Sequence, residues 1–328
     1  MKLQTIMAAI ALCLTALSVH AANVGFQETR VPDTGGPPLV IGVWYPTDAT
    51  PHDQRLGLFS QSVAASGDVA GERLPLVVMS HGTGGWYGEH IDTALALARA
   101  GFVVAAVSHT GDTYDDQSRR VNIPDRPRHV REVIDFMTRA WPDHARIDAR
   151  HIGLFGFSAG GFTALVAAGG VPDLRTIAGH CLAHAEYFDC RLLASAHVDP
   201  ATMPIPPASV WIHDPRIRAA VVAAPALGFS FGRQGLKGVT IPIQLWRAED
   251  DQILPNPDYA EAVHASLPRR PDFHLVPNAG HFDFLSPCSE ALAHQVPEIC
   301  ASRPGFDRTG FHAQFDASVV EFFQRTLR

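Results

Sequence analysis

Lysine is almost missing from this chain: only two of its 26 basic residues are lysine. The arginines are scattered, and 33 acidic residues leave a net charge of −7. No basic stripe forms, so the electrostatic footprint of a nucleic-acid binder is absent. Charge as a whole is scarce, at 18% of residues against 46% apolar, which excludes an intrinsically disordered chain. No run of 18 apolar residues occurs, which removes the usual signature of a membrane-spanning helix. No internal repeat appears, so solenoids and propellers are set aside. No His-Glu-x-x-His order and no P-loop lysine is present, so neither a zincin nor a phosphate-cradling ATPase is indicated.

Cysteine is also sparse, and its placement is informative. Lys2, the apolar run Ile6–Val19 and the tripeptide Val19-His20-Ala21 together predict a secretory signal peptide cleaved after Ala21. The apolar run is about 14 residues, short of the roughly 20 that a spanning helix requires. Cleavage removes Cys13, the odd one of five. Cys181, Cys190, Cys288 and Cys300 remain, and an even count in an exported protein predicts two disulfides. Three pairings exist. The local ones, Cys181–Cys190 and Cys288–Cys300, are preferred because each pair sits within one short segment. The expected location is periplasmic or secreted.

Apolar runs without alternation mark strands buried on both faces. Val40–Tyr45, Leu76–Met79, Phe102–Val107, Ile152–Phe155, Ile217–Ala223, Ile241–Trp246 and Phe273–Val276 are such segments. Between them lie helical patterns: Ile91–Ala100, the spacing of Val130, Val133, Ile134 and Met137, Phe162–Ala168, and a C-terminal face of Phe315, Val319, Phe322 and Phe323. Strands alternating with helices predict an α/β protein with a mostly parallel sheet covered on both sides. Residues 54–72 read as a polar loop. Residues 171–215 break the rhythm and read as an insertion that caps the sheet's edge.

Gly156-Phe157-Ser158-Ala159-Gly160 fits G-x-S-x-G between a strand and a helix, the context of a nucleophile elbow. The turn pushes the Ser158 hydroxyl outward, and the glycines allow strand and helix to approach. A serine requires a base, and the base requires an orienting acid, in the chain order Ser, acid, His for this arrangement. The loop after Ile241–Trp246 offers Glu249, Asp250 and Asp251. Asp251 is the choice, with Asp250 the runner-up. The loop after the last strand holds His281. All three positions fall at C-terminal ends of strands, the edge where open α/β sheets bind ligands.

A tetrahedral intermediate also needs two N–H donors. Ala159, directly after the nucleophile, supplies one. The Gly-rich loop His81-Gly82-Thr83-Gly84-Gly85 supplies the other, from Thr83. Trp86 and Tyr87 adjoin this loop and are expected in the substrate pocket. His180 and His184, with Glu186 and Asp189 nearby, have a spacing that can bind zinc. A serine triad uses no metal or cofactor, and none is expected. Asp112, Asp115 and Asp116 read as a solvated acidic loop.

Four segments together resemble the α/β-hydrolase superfamily over essentially the whole mature chain. They are Ser80-His81-Gly82-Thr83-Gly84, Gly156-Phe157-Ser158-Ala159-Gly160-Gly161, Asp251 ahead of Leu254-Pro255, and Ala279-Gly280-His281-Phe282. Within the superfamily they are most similar to the bacterial "predicted dienelactone hydrolase" group and to platelet-activating-factor acetylhydrolase-like esterases. Dienelactone hydrolases carry a cysteine nucleophile, whereas this chain has Ser158. The resemblance implies one α/β-hydrolase domain over residues 22–328 with the insertion at 171–215. It also implies a serine esterase acting on a small-molecule or lipid-like ester. Prolyl-oligopeptidase-type peptidases share Gly-Phe-Ser-Ala-Gly-Gly, so a peptidase or amidase is the rival enzyme. A non-catalytic binding protein on the same fold is the rival from another class. The bridge Cys288–Cys300 is expected to clamp the loop of His281.

Overall fold

The uninterrupted apolar runs become the middle of one sheet. The computed structural model describes residues 22–327, so the expected signal peptide at 1–21 lies outside the described residues. The strands are β1 (Asn23–Val31), β2 (Leu39–Thr47), β3 (His52–Leu56), β4 (Phe59–Ala65), β5 (Leu74–Ser80), β6 (Val103–Ser108), β7 (Ile147–Phe157), β8 (Ile217–Ala223), β9 (Ile243–Ala248) and β10 (Asp272–Val276). Their spatial order is β10-β9-β8-β7-β5-β6-β2-β1-β4-β3. From β6 to β10 every neighbouring pair is parallel. β2 runs antiparallel to both β6 and β1.

The helices are α1 (Ile91–Arg99), α2 (Asp125–Arg139), α3 (Ala159–Ala167), α4 (Thr176–Ala183), α5 (Phe188–Ser195), α6 (Gly232–Leu236), α7 (Ala260–Ser266), α8 (Glu290–Gln295), α9 (Pro297–Cys300) and α10 (Arg308–Thr326). Period-2 alternation splits each central strand between two cores. Leu76 and Val78 of β5 join Val130, Val133 and Met137 of α2 and Phe162 of α3. Val77 and Met79 join Leu97 of α1 and Phe315, Val319 and Phe323 of α10. Both faces are therefore dry, which is why these strands carry no polar alternation. No helix among the described residues is long and apolar enough to cross a membrane.

The reading of residues 54–72 as a loop is corrected. Most of the segment is the end of β3 and all of β4, a hairpin turning at Gly57 with φ +57°. The signal is hidden because an inward residue of β4 is polar. Gln61 is 3% exposed and accepts from the Trp44 indole N–H at 2.8 Å. The strand β1 also escapes the sequence reading, although it pairs with β2 over its whole length.

Both expected disulfides are present, Cys181–Cys190 and Cys288–Cys300, with Cα separations of 5.3 and 5.7 Å. The first ties α4 to α5 inside residues 171–215. The second ties the segment before α8 to the end of α9.

A polar cluster joins α1 to α10. Asp316 accepts from the Thr93 hydroxyl at 2.6 Å, and Asp92 lies 2.6 Å from His312. Burial and the nearby Asp92 charge push the Asp316 carboxyl up to about 7, from an ordinary 3.8. A carboxyl raised on folding contributes stability fully present below pH 3.8 and lost as pH rises towards 7. Asp316→Asn fixes the neutral form. It is expected to be more stable than wild type at pH 8, by on the order of 1 kcal/mol and with a higher melting temperature, and to be unchanged near pH 4. Thermal melts of both proteins at the two pH values measure this.

Candidate active site

Four loops leave the sheet at one edge because β5, β7, β9 and β10 point the same way. β7 ends at Phe157 and α3 begins at Ala159, so Ser158 alone makes the turn. Its φ of 54° and ψ of −117° place a non-glycine residue in strained backbone. Two contacts explain the flanking glycines. A Cβ on Gly156 would lie 2.0 Å from the Gly160 carbonyl oxygen, and one on Gly160 would lie 1.9 Å from that of Ser80.

The His281 Nε2 atom lies 3.1 Å from Ser158 Oγ, and its Nδ1 lies 2.8 Å from Asp251 Oδ2. Asp251 Oδ1 accepts from the N–H groups of Ile253 at 3.0 Å and Leu254 at 2.7 Å. The carboxylate therefore accepts from Nδ1–H, which leaves the Nε2 lone pair facing the serine. The side chains of His281 and Asp251 are only 2% and 5% exposed, so water competes weakly for these bonds. The other two acids are engaged elsewhere. Glu249 accepts from Asn278 N–H at 3.0 Å, and Asp250 pairs with Arg303 at 2.6 Å near the surface.

His281 opens a short 3-10 turn, His281–Phe284, held from behind by Arg308. Arg308 donates to the Phe282 carbonyl, to Asp283 Oδ1 at 3.1 Å and to the Ile299 carbonyl at 2.9 Å. Asp283 Oδ2 in turn accepts from Gly280 N–H at 2.8 Å. The Arg308 guanidinium also touches Cys288 Sγ at 3.7 Å, linking the turn to the Cys288–Cys300 bridge. Arg308 thus holds the turn that carries His281. Arg308→Met strands Asp283 in a buried site and is expected to cost about 3 kcal/mol of stability. It is also expected to lower kcat about 10- to 100-fold with KM little changed. Kinetics well below the variant's melting temperature measure the split.

Thr83 lies in the loop after β5, on the wall of a cavity of about 350 Å³ that also contains Ser158 and Ala159. The N–H groups on either side of it are engaged: Gly82 donates to Glu89 at 3.1 Å and Gly84 to Asp112 at 2.8 Å. The Thr83 N–H has no acceptor among the described residues. Ala159 opens α3, so its N–H is one of the orphan donors at a helix start.

Arg126 braces this loop, donating to the carbonyls of His81 at 2.7 Å and Gly82 at 3.0 Å. Asp112 neutralises it at 2.6 Å, and both are nearly fully buried. Beneath the loop, His81 Nε2 accepts from His109 N–H at 3.0 Å. Burial, and then the Arg126 charge, lower the His81 pKa to about 4, so it stands neutral beside the guanidinium at neutral pH.

Arg126 is missing from the sequence reading, and Asp112 is read there as part of a solvated loop. The structure buries it, while Asp115 and Asp116 are exposed. Arg126 did carry a signal: it stands four residues before Val130, on the apolar stripe of α2.

Trp86 and Tyr87 are placed away from the cavity, contrary to expectation. Tyr87 is buried and donates to Glu28 of β1 at 2.6 Å. Trp86 packs on Tyr87 and Tyr114. The cavity is walled instead by residues 171–215 and by the loop before α2. His180 and Asp189 come together, but the third potential metal ligand beside them, Cys190, is held in a disulfide. His184 lies 3.9 Å from Asp258 and from Glu186.

The sheet order, the serine at the turn after β7 and the acid and histidine loops after β9 and β10 define an α/β-hydrolase fold. Residues 71–185, about a third of the chain, match the family model Hydrolase_4, described as serine aminopeptidase, S33. That stretch holds Thr83 and Ser158 and ends before Asp251 and His281. Among solved structures, a ferulic acid esterase from Streptomyces cinnamoneus is similar with a TM-score of 0.66 and 19% identity. The match covers 96% of this chain and 92% of that one. At that identity the likeness is one of fold. No curated protein sequence matches. These comparisons reach the fold and do not extend to the narrower dienelactone-hydrolase-like group.

Proposed function

We propose that the protein is an exported serine hydrolase of carboxylic esters. The observation carrying this reading is the continuous line Ser158–His281–Asp251, at 3.1 and 2.8 Å, opening onto a mainly apolar cavity. Ser158 Oγ attacks the ester carbonyl while His281 Nε2 takes its proton. Asp251 holds the imidazole tautomer and stabilises the cation that forms. The N–H groups of Thr83 and Ala159 receive the oxyanion. His281 then passes the proton to the leaving alcohol, and water repeats the sequence on the acyl-enzyme. No step uses a metal or cofactor. Export is supported by the leader at 1–21 and by the two bridges, which persist in oxidising compartments.

The name of the matched family favours a peptidase as the second reading. Turnover of p-nitrophenyl butyrate against p-nitroanilide peptides separates the two. Ester turnover with silent anilides is the expected result, and the reverse would overturn it. A non-catalytic protein would show no covalent labelling of Ser158 by a fluorophosphonate.

A further inference from the structure

On the side of residues 171–215 the cavity wall is largely aliphatic, with Ile177, Leu192, Leu193 and Met203. One acid interrupts it. Asp189, in the first turn of α5, lines the cavity and is 7% exposed. Its Oδ1 accepts from the Tyr259 hydroxyl and from Cys190 N–H, both at 3.0 Å. Its Oδ2 is buried and has no hydrogen-bond partner among the described residues. His180 Nε2 lies 3.8 Å from that oxygen but is engaged with the Tyr259 oxygen at 3.0 Å.

The carboxyl is held in place from several sides. The bridge Cys181–Cys190 joins the residues next to His180 and Asp189. His180 is stacked on Phe229 at 3.7 Å. The acid is therefore fixed in the cavity wall, and an acceptor in an apolar wall calls for a donor from the ligand. The other charged side chain in the wall, Arg120, is cationic, which disfavours an ammonium there. Burial also raises the Asp189 carboxyl above its ordinary range, which suits a neutral donor.

We infer that Asp189 is a specificity-determining residue that hydrogen-bonds a hydroxyl at the far end of the substrate. The preferred esters then carry a neutral hydroxyl on the apolar group that fills this cavity. The inference rests on the ester-hydrolase reading above.

The test compares matched methyl esters on the full mature protein over a range of chain lengths. One series ends in a hydroxyl, the second has a methyl in its place, and the third ends in a primary amine. At the best length the hydroxyl ester is expected to lead the methyl ester by about tenfold or more in kcat/KM. Asp189→Leu is expected to reverse that order, because an aliphatic wall favours the methyl group. Binding of the same pair to Ser158→Ala, by calorimetry, should show the wild-type order without turnover, and it stands if Asp189→Leu fails to fold. The inference is overturned if the methyl or amine series leads in wild type, or if the leucine variant keeps the wild-type ratio. Hydrolysis of p-nitrophenyl acetate separates the two failures. If it is cleaved and no hydroxyl preference is seen, this inference alone falls. If it is not cleaved, the ester-hydrolase reading falls, and the calorimetric order decides the role of Asp189.

Discussion

Ser158→Ala is expected to lower kcat for p-nitrophenyl butyrate by about 10⁵-fold or more and to abolish labelling by a fluorophosphonate. The size follows from the removal of the atom that forms the acyl-enzyme in the proposed mechanism. Alanine leaves the backbone of the turn and both proposed oxyanion donors intact, so a small residual rate over water should remain. Stability provides the control. Ser158 bears a φ of 54°, a conformation that costs about 1–3 kcal/mol in a residue with a Cβ. Ser158→Gly should therefore lose activity to the same degree while melting higher than wild type. Calorimetry beside the assay reads both effects. A serine variant with wild-type turnover would remove the nucleophile assignment.

The parts of this fold visible in the sequence share one physical property. β5, β6 and β8 lie between two dry helical layers, so their burial is written as unbroken apolar runs. The elbow glycines are visible because a Cβ at either position would overlap a backbone oxygen. Where burial is satisfied by pairing rather than by apolarity, the sequence is silent. Gln61 reads as surface but stands inside, bonded to Trp44. Asp112 and Arg126 neutralise each other under the loop after β5, yet separately each reads as an ordinary surface charge. Tyr87 is expected in the pocket because it follows the glycine loop. Glu28, on a strand not recognised in the sequence, draws its hydroxyl the other way. The cavity wall is least legible of all, because residues 171–215 have no period and their inward side is set only by docking on the sheet.

The acid of the proposed triad is where the sequence leaves a choice that geometry narrows. Asp251→Asn is expected to reduce kcat by about 10⁴-fold. The asparagine carbonyl can keep the bonds from the Ile253 and Leu254 N–H groups, which turns its NH₂ towards His281 Nδ1. A donor there forces the imidazole proton onto Nε2, and the ring can no longer accept from Ser158. KM should change little, because Asp251 does not line the cavity. Asp250→Asn breaks only a half-exposed pair with Arg303, an interaction of the kind worth about 0–1 kcal/mol, and should leave kcat within about threefold. Measuring both variants on one ester decides the assignment. A large loss in Asp250→Asn with a near-normal Asp251→Asn would transfer the role to Asp250 and require the loop after β9 to rearrange before catalysis.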